Sequence, residues 1–191
     1  MTPILSKMKP SILIFGAGGN FGPFVLSELV KNKAKFSRIA ILCIEERKEH
    51  FSPWLEKGVE VIIGSMTDSA SYRGFTVAIS LVGNLVLRLQ PQMVDAAIEA
   101  GVKHFYPSEF GNDIDQPEFV NARYYVDKML TRKHLRAKAK DYPDFSYTMV
   151  HIGLFAESFA LGDEFGVDRA AKTFTWFGNP EMEASFSSMA E

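Results

Sequence analysis

The sequence predicts an α/β fold in which a parallel sheet is covered by helices on both faces. Three observations carry that expectation. Short apolar runs alternate with amphipathic stretches from Ile12 to Ile152. The early runs lack the polar alternation of a sheet with one wet face, as expected of strands buried on both sides. The first run, Ile12 to Phe15, stops at a cluster of glycines, and an amphipathic stretch, Pro23 to Asn32, follows at once. Strand, glycine turn and helix in that order form the first half of a nucleotide-binding βαβ unit.

The glycines stand at 16, 18, 19 and 22. They do not fit G-x-G-x-x-G from Gly16, because Phe21 occupies the third glycine position, but they do fit G-x-x-G-x-x-G at Gly16, Gly19 and Gly22. Gly16 is expected to allow the tight turn, Gly19 to let the backbone approach a pyrophosphate, and Gly22 to let helix and strand pack closely. Asn20 and Phe21, between the last two glycines, complete the candidate cofactor loop. The helix N-terminus behind them offers N–H groups and a partial positive charge to phosphates. An ordinary glycine turn uses the same residues, and the ordered strand–turn–helix context favours the dinucleotide reading.

A chain of 191 residues is long enough for a substantial core, and 47% apolar residues suit a globular protein. Net charge is −2 without a long basic run, which argues against nucleic-acid binding through a broad basic surface. The single cysteine, Cys43, cannot form an internal disulfide. Lys7 and Lys9 precede an apolar stretch, but that stretch ends within a few residues in glycines and reads as a strand, not a secretory signal. No segment approaches the ~20 apolar residues that span a bilayer. The expectation is a soluble cytoplasmic protein that does not engage membranes.

The elements then follow in order. Arg38 to Ile44 is a second buried strand, and the adenosine ribose of a dinucleotide belongs near its C-terminal end. An acidic residue there suits the 2′-hydroxyl of NAD and a basic one the 2′-phosphate of NADP. Glu45 and Glu46, then Arg47 and Lys48, offer both signs. Val59 to Ile63 is a third strand, followed by Gly64-Ser65-Met66-Thr67-Asp68, in which Asp68 is expected to cap a helix, with contact to an adenine as the alternative. Val77 to Val82 is the fourth strand; Val82 and Gly83 at its end are expected beside the pyrophosphate and nicotinamide ribose. Leu89 to Ala100 is an amphipathic helix closed by Gly101. Lys103 to Tyr106 is a fifth strand, Asp113 to Phe119 a loop containing Pro117, Val120 to Ala139 a long helix, and Phe145 to Ile152 a sixth strand. Beyond Gly153 the pattern loosens: Leu154 to Leu161 is a short apolar stretch and Lys172 to Phe177 a further strand before a Gly178-Asn179-Pro180 turn.

Ser108, Tyr124 and Lys128 are the candidate catalytic residues. Ser108 lies just beyond strand five, on the edge of the sheet where ligands bind. Tyr124 and Lys128 are spaced four apart, which places them on one face of a continuous helix. A lysine beside a tyrosine lowers the phenol pKa from its usual ~10 and makes it a proton donor near neutral pH. The same lysine suits the nicotinamide ribose, and the serine hydroxyl suits a substrate carbonyl. A surface tyrosine beside a solvated lysine gives the same spacing, and Tyr125 competes for the role. His50, His104, His134 and His151 show no metal-ligand spacing and read as structural or surface residues, so no metal site is expected.

These residues resemble the NmrA-like, isoflavone-reductase-like branch of the atypical short-chain dehydrogenases/reductases. The resemblance rests on the Gly16, Gly19, Gly22 loop, on Ala96-Ala97-x-x-Ala100-Gly101-Val102, and above all on Pro107-Ser108-Glu109-Phe110-Gly111-Asn112-Asp113. Lys128 with Arg132 and Leu135, Tyr147-Thr148, and Gly153-x-Phe155 continue it, over about residues 10 to 160. It implies an NAD(P)-binding Rossmann domain over residues 1–160, with Lys128 as the catalytic or ribose-binding lysine. It also implies NADP(H) as the favoured cofactor, NAD(H) as the alternative, and reduction of a small, aromatic organic substrate. Some family members bind the dinucleotide without turnover and act as regulators through a protein partner, which is the alternative function. Plant-type members place an arginine at the end of strand two, where this chain has Ile44 or Glu45, with Arg47 and Lys48 slightly later. Family members are also longer, so residues 161–191 are expected to begin an incomplete C-terminal substrate region. The sequence names neither the substrate nor an oligomeric state.

Overall fold

The computed structural model describes residues 8–116, 119, 122–161, 166–175, 179, 181, 183 and 185–189. The chain falls into two compact units, one formed by Met1–Ser108 with Asn121–Met149 and the other by Glu109–Val120 with Val150–Glu191.

The first unit is built on a six-stranded sheet of β1 (Ser11–Phe15), β2 (Arg38–Cys43), β3 (Glu60–Ile63), β4 (Val77–Ser80), β5 (His104–Tyr106) and β6 (Ser146–Tyr147). The strand order is β3-β2-β1-β4-β5-β6 and every pairing is parallel. This is the Rossmann order, with its topological switch between β1 and β4. The alternation of β1 explains the absence of a polar face. Leu13 and Phe15 enter a core with Met93, Val94, Ala97, Phe105 and Leu135, whereas Ile12 and Ile14 enter a second core with Leu26, Ile41 and Phe51. Helices α1 (Gly22–Lys31) and α2 (Ser52–Leu55) contribute to the second core, and α3 (Gln90–Glu99) and α4 (Val126–Asp141) to the first.

Local signals explain the helix ends. Pro23 sits in the first turn of α1 and Pro91 in that of α3, where a missing N–H costs no hydrogen bond. Gly101 closes α3 with φ +87°, while its N–H reaches Ile98 O (2.9 Å) and Val102 N–H reaches Ala97 O (3.0 Å). That pair of bonds is the Schellman arrangement, which favours glycine at this position. Asp68 caps the 3-10 turn Ser69–Tyr72 through an Oδ1 bond from Ala70 N–H (2.9 Å).

Two elements differ from expectation. The helix expected from Val120 begins later: Ala122 is extended (φ −74°, ψ 113°), a 3-10 turn spans Arg123–Tyr125, and α4 starts at Val126, with Asp127 placing an acid in its first turn. The sixth strand is shorter than Phe145 to Ile152, because β5 supplies only three residues before Pro107, which has no N–H to continue a ladder.

The second unit contains a parallel pair, β7 (Leu154–Phe155) with β10 (Phe186–Ser187), and the six-residue helix α5 (Ala156–Leu161). An antiparallel pair joins β8 (Val167–Asp168) to β9 (Thr173–Phe174). Glu157 accepts from Ser188 Oγ (2.7 Å) and Met189 N–H (2.9 Å), which fastens α5 to the chain beyond β10. Pro117, Val120, Trp176, Phe177, Gly178 and Pro180, on which sequence expectations also fell, lie outside the described residues.

Candidate nucleotide-binding site

The glycine turn after β1 sits at the switch point. Gly16 has φ +76°, and a Cβ there would lie 2.6 Å from the backbone carbonyl of Leu81, so backbone angle and close approach to the β4 end both demand glycine. Gly19 N–H bonds back to Gly16 O, and Gly22 N–H to Gly19 O, each at 3.2 Å. A Cβ on Gly22 would overlap the Ala17 backbone, so glycine at 22 lets the helix start fold against the turn itself. Gly19 is different: its nearest neighbour to a Cβ is Gly16 O at 3.5 Å, an ordinary contact. The protein's own packing does not require glycine at 19.

A cavity of about 510 Å³ opens at this turn, within the ~300–1,000 Å³ range of small-molecule sites. Its walls are Gly16–Gly19, the ends of β2 and β4 (Leu42–Ile44 and Leu81–Gly83), the Gly64–Met66 turn after β3, and Arg47, His50, Phe51 and Val86. The β3 turn is held from below. Ser65 N–H donates to Ser71 Oγ (3.1 Å), and the buried Tyr72 hydroxyl donates to the Met66 carbonyl. Burial raises the Tyr72 phenol far above its ordinary pKa, so it stays a neutral donor. Burial also raises the Cys43 thiol, helped by the Glu45 charge and opposed by Lys48.

Of the sequence candidates, Gly16, Gly19, Arg47, Val82 and Gly83 line this cavity; Asn20, Phe21, Gly22, Glu45, Lys48, Ser108, Tyr124 and Lys128 do not. Lys48 and Glu45 pair with each other at 3.6 Å, both largely in solvent. His50, read from sequence as structural or surface, is a cavity wall, as are Gly18, Cys43, Ser65 and Met66. The charged stretch after β2 hid His50, because it folds not as an open loop but as a 3-10 helix, Glu45–Phe51, that carries the ring back to the cavity. For Ser65 and Met66 the signal was present: they directly follow a strand of a parallel sheet, at its ligand-binding edge.

Ser108 and Tyr124 are both tied to the segment leaving β4. The Ser108 hydroxyl donates to Val82 O (2.8 Å), and its N–H donates to Oε1 of the fully buried Gln90 (2.6 Å). Asn84 Nδ2 donates to the Tyr124 hydroxyl (2.6 Å); Tyr124 as a residue is 66% exposed, and its ring packs edge-on against Tyr125. Lys128 is half-buried in the first turn of α4, while Tyr124 lies on the preceding 3-10 turn, so the two do not share one continuous helix. Among the described residues no cluster of His, Cys, Asp and Glu can hold a metal, and no helix is long and apolar enough to cross a membrane.

Comparison with known proteins agrees with the fold. Phenylcoumaran benzylic ether reductase PT1 of Pinus taeda is 32% identical over 79% of this chain and 51% of its own length. A crystal structure of isoflavone reductase superposes with a TM-score of 0.73 at 22% identity, covering 96% of this chain and 62% of that one. The binary complex of leucoanthocyanidin reductase with NADPH from Vitis vinifera gives 0.70 at 18% identity, covering 94% and 61%. At such identities the structural likeness establishes the fold. The chain spans about half the length of the sequence relatives it matches. The NmrA-like family model matches residues 8–180, nearly the whole chain, and with the Rossmann strand order and the glycine turn at its switch point, this chain belongs to the NmrA-like family.

Proposed function

We propose that this chain is the NADP(H)-binding part of a reductase that acts on a small, aromatic organic substrate. The observation that carries the reading is the cavity at the β1–β4 switch point, which the glycine turn and Arg47 both line. The residues fit a dinucleotide. Gly18 and Gly19 line the cavity without a side chain of their own, and the ten-residue helix α1 begins directly behind the turn, with N–H groups suited to a pyrophosphate. Arg47 supplies a guanidinium suited to a phosphate, which favours NADP(H) over NAD(H). The names of the relatives point the same way: benzylic ether and isoflavone reductases on the sequence side, an NADPH complex on the structural side.

When bound, NADPH supplies a hydride. The roles left to the chain are binding, orientation and proton supply. Lys128 is assigned to the nicotinamide ribose and to the electrostatics of the proton donor. Tyr124 is assigned as that donor, with Asn84 orienting its hydroxyl through the 2.6 Å bond. Ser108 orients the rim through Val82.

Separate titrations with NADPH and NADH, followed by NADPH oxidation with a panel of aromatic enones, carbonyls and benzylic ethers, test the reading. The turnover arm requires a form as long as the relatives as well as this chain. Binding of neither dinucleotide would sink the proposal. Tight NADPH binding with no turnover in either form would point to a dinucleotide-binding regulator instead.

A further inference from the structure

The 3-10 helix after β2 sorts its charges onto different sides. Residues three apart stack in such a helix. Glu45 and Lys48 form one stacked pair, 3.6 Å apart, and neither reaches the cavity. Arg47 and His50 form another, and both line it. The His50 ring lies against the glycine turn: a Cβ on Gly18 would be 3.6 Å from its Cδ2 and Nε2. Its position is braced by the buried Phe51, whose ring meets it edge-on with centroids 5.0 Å apart.

We infer that His50 is a specificity-determining residue, whose imidazole joins Arg47 in recognising the phosphomonoester on the adenosine ribose of NADP(H), while Lys48 serves to neutralise Glu45. The inference rests on the dinucleotide reading above and departs from the sequence expectation, which treats Arg47 and Lys48 alike as candidates for the phosphate. A phosphomonoester presents three acceptor oxygens. A guanidinium and an imidazole N–H one turn apart, both lining the cavity and the imidazole set against the glycine turn, provide two donor groups for those oxygens. Glu45 would repel the phosphate if its charge were unmatched, and the ammonium of Lys48 matches it outside the cavity. The basic residue absent from the end of strand two is thereby replaced by two residues further along, brought back by helical geometry.

The test is equilibrium binding of NADPH and of NADH, read by cofactor fluorescence or calorimetry, to the wild-type 191-residue chain and to His50→Ala, His50→Gln and Lys48→Ala. His50→Ala is expected to weaken NADPH about tenfold, the equivalent of one lost hydrogen bond to a charged group, and to leave NADH within about twofold. His50→Gln, which keeps an N–H donor, should recover part of the loss, and Lys48→Ala should cost NADPH less than His50→Ala does. Unchanged NADPH affinity in His50→Ala, equal losses for both cofactors, or a larger loss in Lys48→Ala would each overturn the inference. A wild type that prefers NADPH but ignores His50 would remove this inference alone. A wild type that binds both equally, or neither, would remove the NADP reading with it.

Discussion

The hydroxyl of Ser108 donates to the backbone carbonyl of Val82 at 2.8 Å, joining the segments that leave β5 and β4 at the rim of the sheet. Val82 is a cavity wall, so a residue outside the cavity sets the position of one inside it. The single hydroxyl proton is engaged in this bond, and any direct bond from Ser108 to a substrate would exchange it. Ser108→Ala is therefore expected to destabilise the fold by about 1 kcal/mol, the net worth of one hydrogen bond. Urea denaturation at unchanged m-value would check it, and no loss would mean that the Val82 carbonyl finds water instead.

The glycines of the turn should separate folding from binding. Gly16→Ala forces a Cβ to within 2.6 Å of the Leu81 carbonyl at φ +76°, and should cost several kcal/mol or prevent folding. A Cβ at Gly19 meets only an ordinary contact at 3.5 Å, so Gly19→Val is expected to fold and to lose dinucleotide binding. Thermal melts paired with NADPH titration distinguish the two; unaltered NADPH affinity in folded Gly19→Val would contradict the role given to the loop.

Tyr124 is two-thirds exposed, so Tyr124→Phe should change stability by less than about 0.5 kcal/mol. In a form as long as the relatives it should lower turnover by about a hundredfold or more while sparing NADPH affinity, because proton donation is felt only in the transition state. Lys128→Ala should damage both measurements. Equal turnover in Tyr124→Phe and wild type would pass the donor role elsewhere, with Tyr125 the next residue to replace.

Asp95 ties α3 to α4, accepting from His134 Nε2 (2.9 Å) and Lys138 Nζ (2.8 Å) on one oxygen. Burial opposes its ionisation, but the bonds and charges of Lys138 and His134 outweigh it and leave its carboxyl below the ordinary carboxylate range. A lowered folded-state pKa contributes stability above the unfolded value, and that contribution fades as the pH falls through the folded one. Asp95→Asn should thus destabilise by up to about 1 kcal/mol at neutral pH, since the pair is partly exposed. The difference from wild type should shrink on acidification below pH ~4, as followed by chemical denaturation across pH. A difference that grows in acid would reverse the sign of this argument.

Much of the frame was legible because the physics that sets it is local. Ile12 to Phe15 followed by Gly16 marks a short apolar strand and a turn at which glycine is free to take positive φ. Gly101 and Asp68 end and begin their elements through bonds to residues two to three positions away. The order of strands and helices, read with these signals, was enough to expect a parallel sheet and a nucleotide turn, and the motif Pro107 to Asp113 was enough to expect the family.

What only the tertiary structure decided are relationships across sequence distance or between faces of one short helix. Periodicity placed Tyr124 and Lys128 on one helix, but Ala122 is extended and α4 begins only at Val126, after a 3-10 turn. Spacing treated Arg47 and Lys48 as equivalent cations. The 3-10 helix turned one into the cavity, bound the other to Glu45, and set His50 against Gly18, 32 positions earlier in the chain. Side-chain charge is written in sequence, but the face on which a charge stands depends on the turn geometry that carries it. A 3-10 repeat of three residues and an α repeat of 3.6 send neighbouring side chains in different directions.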